Sequence, residues 1–260
     1  MLFLKKLILK LYLIGLIPKK LLSKKLNSRL ISGKIFYYKR SIKKSKNYYH
    51  VHPMPSKDEL NEYYQNNYWE GFTKEGKNEG VDNRDKEHFS ILKDQIPSLF
   101  SEPNKILNFG AGHGGISHLF WKEKFSVVNV EPSKMNINYE ERWEQYNDIA
   151  EIDLDNKFDL IYGSHSLEHV NNIESFYSRV EKLLKPNSYI FWEVPNGNNP
   201  QNGGCNGIIC APHTYYFTKN FFNEINNFDV IFNKLYDKDK KETDDELNAV
   251  IIRYLGRKIF

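Results

Sequence analysis

The chain is predicted to fold as an α/β domain with a doubly wound, mostly parallel sheet, and three observations carry that prediction. A short apolar run, Ile106, Leu107 and Phe109, leads directly into Gly110, Gly112, Gly114 and Gly115. A second apolar run, VVNV, ends in the acid Glu131, about twenty residues on, the spacing of a strand–turn–helix–strand unit. Strand-like and helix-like segments then alternate, and two strand-like segments close the chain with no helix between them.

Each element follows from composition and period. Residues 105–109, 126–131, 158–163 and 188–194 are short apolar runs of the kind buried in parallel sheets. Helical spacing covers 113–123, 134–146, 171–184 and 218–226, and a short strand is expected near 148–152. Segments 228–236 and 247–254 follow one another without a helix and should pair antiparallel. The result is a Rossmann-like, seven-stranded sheet with an antiparallel final strand. Upstream, Ser56 and Glu59 have the spacing of a capping box that opens a short helix faced by Leu60, Tyr63 and Tyr64. GKNEGVDNRD (76–85) reads as a mobile loop, and a helix is expected from Lys86 to Phe100. Three regions result: a basic amphipathic arm (1–49), a helical lead-in (50–100) and the α/β domain (101–260).

Charge divides the chain unevenly. The 260 residues carry a net +4, yet residues 1–57 hold fifteen Lys or Arg and no acid. The remainder, with 22 basic and 33 acidic residues, has a net charge of −11. The longest uninterrupted apolar run in the arm, Leu11 to Ile17, is seven residues, far short of the roughly 20 that a spanning helix needs. Pro18-Lys19-Lys20 stands where a signal peptide would have its small-residue cleavage site. A leucine-rich helix with lysines on one arc suits either an anionic membrane surface or the acidic body. The leucines favour lipid over nucleic acid, which is not expected as a partner. Two cysteines, Cys205 and Cys210, cannot build a disulfide framework, so a cytoplasmic protein, peripheral on the inner membrane face, is expected.

The glycine spacing alone fits both a dinucleotide fingerprint and an S-adenosylmethionine loop. Three further segments distinguish them: PSK after Glu131, FDLIYGSHSLEHV at 158–170 and LLKPNSYIFWEVPN at 183–196. Together they resemble the class I S-adenosylmethionine-dependent methyltransferases, closest to small bacterial members with a SxSLEHV-like segment after the fourth strand. The resemblance covers residues 105–254. It implies S-adenosyl-L-methionine as cofactor, held by Asn108, Gly110, Ala111, Gly112, Gly114, Glu131, Pro132 and Ser164. Lys105 to Gly115 would cradle the methionine part and the adenosine, with Glu131 on the ribose. Asn108 departs from the pattern, because the family usually carries Asp or Glu there. Asp148 is the nearest candidate for contacting the adenine, and His113 is expected to shape the cofactor pocket.

Methyl transfer to a hydroxyl requires alignment and removal of a proton. Imidazole, with a reference pKa of ~6.5, suits that task. Three histidines are candidate bases. His165 and His169 follow the C-terminal end of strand 158–163, the edge where open α/β sheets bind ligands, and His213 follows the glycine-rich loop 195–212. Some related quinone O-methyltransferases hold a divalent ion with Glu, Glu and His in this segment. His165 occupies the first of those positions here, and no metal is assigned. Cys205, Cys210 and His213 lack a fourth zinc ligand. Trp192, Tyr215, Tyr216 and Phe217 are expected in the core. The reaction implied is O-methylation of a small-molecule acceptor, a glycan or lipid-linked sugar, with a quinone or other lipid ring as the alternative. A non-catalytic binding module that retains the fold is the second alternative.

Overall fold

The computed structural model describes residues 39–66, 81–102, 104–133 and 143–259, with Leu11, Leu16 and Phe36. The readings made on residues 1–35 of the arm, Leu11 and Leu16 apart, therefore lie outside the described residues, as do residues 76–80 of the expected loop. No helix among the described residues is long and apolar enough to cross a membrane.

Five parallel strands form the centre: β3 (Lys105–Phe109), β4 (Ser126–Val130), β5 (Glu144–Tyr146), β6 (Phe158–Ser164) and β7 (Leu184–Pro195). With β9 (Phe228–Tyr236), β10 (Glu242–Thr243) and β11 (Ile251–Lys258), the spatial order is β10-β9-β11-β7-β6-β3-β4-β5. Successive residues along each strand face opposite sides, and both sides are apolar. Ile106, Val127, Leu160 and Phe191 face α2 (Asn83–Gln95) and α3 (Gly115–Lys122). Leu107, Val128, Ile161 and Trp192 face α4 (Ile173–Leu183). Eleven residues make a marginal helix in water. Ile173, Phe176, Tyr177, Val180 and Leu183 bury its inner stripe, and full burial of such side chains is worth about 1.5–3 kcal/mol each.

The sheet has eight strands, not seven. β9 (Phe228–Tyr236) forms a hairpin with the two-residue β10 (Glu242–Thr243), too short to leave a periodic signal. β11 (Ile251–Lys258) begins four residues later than expected and is inserted between β7 and β9, antiparallel to both. Residues 149–151 form a 3-10 turn capped by Asp148, and the edge strand is β5 instead. β5 lies at the end of the expected helix 134–146, whose residues 134–142 lie outside the described residues. A strand paired on one side only needs little apolar sequence, which hid it.

The lead-in begins as expected: Ser56 N–H donates to Glu59 Oε2 at 2.7 Å and Glu59 N–H to Ser56 Oγ at 3.2 Å, opening α1 (Lys57–Asn66). The end of the expected loop 76–85 is instead ordered by a second capping box, Asp82 with Asp85, which starts α2. A separate antiparallel sheet joins β1 (Ser41–Lys44), β2 (Tyr48–His52) and β8 (Tyr215–Phe217). The boundary drawn at residue 49 thus runs through β2, which pairs directly with β8. α5 (Lys219–Asn223) follows β8.

Candidate functional site

The glycine loop joins β3 to α3 at the C-terminal edge of the sheet. Gly110 and Ala111 N–H groups both donate to Val130 O, at 2.8 and 3.0 Å, which staples the loop to the end of β4. Gly110, Gly112 and Gly114 have φ of +72°, +52° and +74°, conformations that cost other residues about 1–2 kcal/mol. A side chain at 110 would collide with Ser166, so this glycine lets the segment after β6 lie against the loop. At Gly112 a Cβ would meet nothing within 4 Å. That position opens into free space beside Glu131.

Glu131 is 5% exposed and firmly held. Its Oε2 accepts from Gly112 N–H at 2.9 Å, and its Oε1 accepts from Ser133 N–H at 3.0 Å and from the Ser133 hydroxyl. A carboxylate offers about four acceptor positions, so receiving two ribose hydroxyls requires one present donor to leave. The Ser133 hydroxyl can do so by rotating. An open glycine cradle with a fixed acid at its rim fits a ribonucleoside cofactor.

The other residues expected at the cofactor are placed as follows. Asn108, 3% exposed, donates through Nδ2 to Ser117 Oγ at 2.8 Å, and Ser117 donates to Asn129 Oδ1 at 2.7 Å. Its amide thus ties β3, α3 and β4 together beneath the loop. Ser164 Oγ donates to Glu193 Oε1 at 3.2 Å. Pro132 lies half-buried between Glu131 and Ser133, and His113 is exposed on the loop. Asp148 is engaged by Ala150 N–H and by Lys57 Nζ at 2.6 Å.

On the acceptor side, β6 ends at Ser164 and the chain turns sharply through His165, with φ +52°, into the 3-10 turn Leu167–His169. Thr214 N–H and Oγ1 donate to Glu168 O at 2.9 and 2.8 Å. This pairing brings His213 against His169, ring centroids 5.2 Å apart. All three candidate histidines converge on Glu168 Oε1: His165 Nδ1 at 3.6 Å, His169 Nε2 at 3.9 Å and His213 Nε2 at 3.9 Å. Glu168 is 1% exposed, and among the described residues nothing hydrogen-bonds either of its carboxylate oxygens or His213 Nδ1. Tyr64 and Tyr216 rings border the cluster, 6.0 Å from His169 and 5.9 Å from His213.

A second carboxylate, Glu193 on β7, lies 3.4 Å from His165 Nε2. It is buried and held by His88 Nε2 at 2.8 Å and Arg253 Nε at 2.6 Å, and Arg253 also pairs with Glu87 at 2.6 Å. Sequence reasoning missed Glu193, Arg253 and His88. The available signal was a charged residue inside an otherwise apolar strand, since buried charges occur only when partnered.

These surroundings separate the three histidines. Burial alone would lower the His165 pKa, but the Glu168 and Glu193 carboxylates on either side lift it to about 9. His165 is therefore held protonated at neutral pH. Burial, together with the neighbouring His169 and His165, outweighs Glu168 and pushes His213 down to about 4, leaving it neutral. Burial would raise Glu168, but the three histidines hold it at about 2. Glu193 is likewise held far below the usual carboxylate range by His165 and His88. One carboxylate oxygen and two imidazole nitrogens, from Glu168, His169 and His213, all lie within 4.8 Å of one another. That donor set also suits a divalent transition metal. Cys205 is not part of it; its Sγ lies 3.3 Å from Asn198 O.

Residues 83–226, more than half of the chain, match the family described as a methyltransferase domain. The chain belongs to this family. Its sheet, with the reversed β11 inserted between β7 and β9, is the class I fold of S-adenosylmethionine-dependent methyltransferases. Curated relatives include the ubiquinone biosynthesis O-methyltransferase of Pelagibacter ubique, 33% identical over 97 residues, 34% of this chain and 40% of the relative. The enzyme of the same name from Rhodopseudomonas palustris (strain BisB5) is 26% identical over 103 residues, 36% and 41% of the two chains. The match thus spans about two fifths of these relatives' length. Among solved structures, 1,6-didemethyltoxoflavin-N1-methyltransferase of Burkholderia thailandensis, with bound 1,6-didemethyltoxoflavin and S-adenosylhomocysteine, aligns with TM-score 0.50 at 15% identity, covering 68% of this chain and 79% of that one. An S-adenosylmethionine-dependent methyltransferase from Clostridium acetobutylicum aligns with TM-score 0.51 at 12% identity, covering 69% and 93%. These structural likenesses establish the fold.

Proposed function

We propose that this chain is an S-adenosylmethionine-dependent O-methyltransferase acting on a hydroxyl of an aromatic ring. The observation that carries the reading is the buried Glu168 carboxylate with three histidines gathered on it, next to the glycine loop through the contact of Gly110 with Ser166. When bound, the cofactor supplies an activated methyl group on a cationic sulfur. Gly112 and Glu131 hold the ribose. The neutral His213 accepts the acceptor's hydroxyl proton, and Glu168, whose Oε1 lies 3.9 Å from His213 Nε2, stabilises the imidazolium that forms. The products are the methyl ether, S-adenosylhomocysteine and a proton.

Acidity favours the ring over the sugar. A phenolic hydroxyl, with a reference pKa of about 10 as in tyrosine, gives up its proton far more readily than a sugar hydroxyl. The Tyr64 and Tyr216 rings beside the cluster and the likeness to ubiquinone biosynthesis O-methyltransferases support the same class. Release of S-adenosylhomocysteine is expected with dihydroxybenzoates or polyhydroxylated quinols and not with hexoses or sugar nucleotides. Turnover with sugars alone would return the acceptor to the glycan class.

The histidine environments set the pH profile. His213 must be neutral and His165 is protonated below about 9. Activity should therefore rise through the low end set by His213, about 4. His165→Asn removes a positive charge that helps to lower the His213 pKa, so it should move this acidic limb to higher pH. A divalent cation on Glu168, His169 and His213 is the second reading, favoured by the ligand spacing. It predicts activity lost on chelation and restored by added metal, whereas chelator-insensitive turnover supports the free base.

A further inference from the structure

We propose that Asp85, on the lead-in helix α2, supplies the negative charge that recognises the α-ammonium group of the cofactor. The inference rests on the methyltransferase reading and assigns a residue that the glycine loop itself does not provide. Residue 108, at the end of β3, offers a neutral amide, and that amide is already committed to Ser117. No acid therefore stands beneath the loop at that position to match a cationic amino-acid end.

Asp85 stands above the loop instead. A side chain at Gly115 would collide with the Asp85 carboxylate, and with nothing else as closely. Gly115, unlike Gly110, Gly112 and Gly114, does not have a positive φ, so backbone conformation does not require a glycine there. Its missing side chain is what lets the carboxylate rest on the first residue of α3. Oδ2 accepts from Asp82 N–H at 3.0 Å. The charged side chains around it are Asp82 and Arg84. Burial lifts the Asp85 pKa to about 6 even with Arg84 nearby, so the carboxylate would gain from a second, closer positive partner. A bound ammonium would provide one, at the end of the loop away from the ribose acid Glu131.

The bland role for Asp85 is the capping box alone, and two ligands with two variants separate the roles. S-adenosylhomocysteine carries the α-ammonium, whereas 5′-methylthioadenosine keeps the adenosine and lacks the amino-acid part. Measured by calorimetry, Asp85→Asn should weaken S-adenosylhomocysteine about tenfold or more, the range of one charge-assisted contact, and leave 5′-methylthioadenosine within about twofold. Asp82→Ala breaks the same capping box and should weaken neither ligand by more than about twofold. Equal losses for both ligands in Asp85→Asn overturn the assignment, as does a selective loss reproduced by Asp82→Ala. If the parent chain fails to bind S-adenosylhomocysteine at all, the function falls and this assignment with it.

Discussion

His213→Ala is expected to lower kcat by about 10²–10⁴-fold, the usual contribution of a positioned general base. Affinity for S-adenosylhomocysteine should stay within about twofold. The expectation follows from electrostatics as much as from position. Three histidines surround Glu168, and a base must be both within reach and unprotonated. His165 is clamped between two carboxylates, at 3.6 Å from Glu168 and 3.4 Å from Glu193, and holds its proton. His213 is pushed towards the neutral form by burial and by the neighbouring His169 and His165. A single-turnover assay with an aromatic acceptor would measure the step directly. A loss below about tenfold, with a larger one in His169→Ala, would move the role to His169. Glu168→Gln should also slow turnover, because it removes the charge that stabilises the protonated His213.

Glu131→Ala is expected to weaken S-adenosylhomocysteine about 10²–10³-fold. Hydrogen bonds to a charged group are worth about 1.5–3 kcal/mol each, and each factor of ten corresponds to ~1.4 kcal/mol, so two ribose contacts account for a loss of this size. The carboxylate is well placed for it, 5% exposed and oriented by Gly112 and Ser133. Gly112→Val should match the effect for a different reason. The site has φ +52° and opens into space, so a branched side chain adds backbone strain and fills the cradle. Both variants should be checked by thermal melting, since Glu131 also braces the loop. Calorimetry showing Glu131→Ala within about threefold of the parent chain would remove Glu131 from the ribose.

The segments that sequence reasoning placed best are those whose signal is local. β3, its glycine turn and Glu131 are contiguous in sequence and contiguous in space. β6, α4 and β7 announce themselves by apolar period, with boundaries shifted by a few residues. The signals failed where pairing, not composition, makes the element. β10 has two residues, β5 has three, and β1–β2–β8 draws strands from positions 41 to 217. The Asp82–Asp85 capping box was present in sequence but lay inside a polar stretch that reads as loop.

The sequence alone determined the fold class and the strand–turn–acid unit at the sheet edge, because a strand, a positive-φ turn and a strand-end acid need only their own neighbours to form. It also placed three histidines at the correct edge of the sheet. Only the tertiary structure decided what surrounds each. The charge on an imidazole depends on which carboxylates face it, and Glu193, which fixes His165, is brought there by β7 lying beside β6. The acid at the glycine loop is likewise a tertiary matter. Asn108 turns inward to Ser117, while Asp85 reaches Gly115 from a helix thirty positions earlier in the chain.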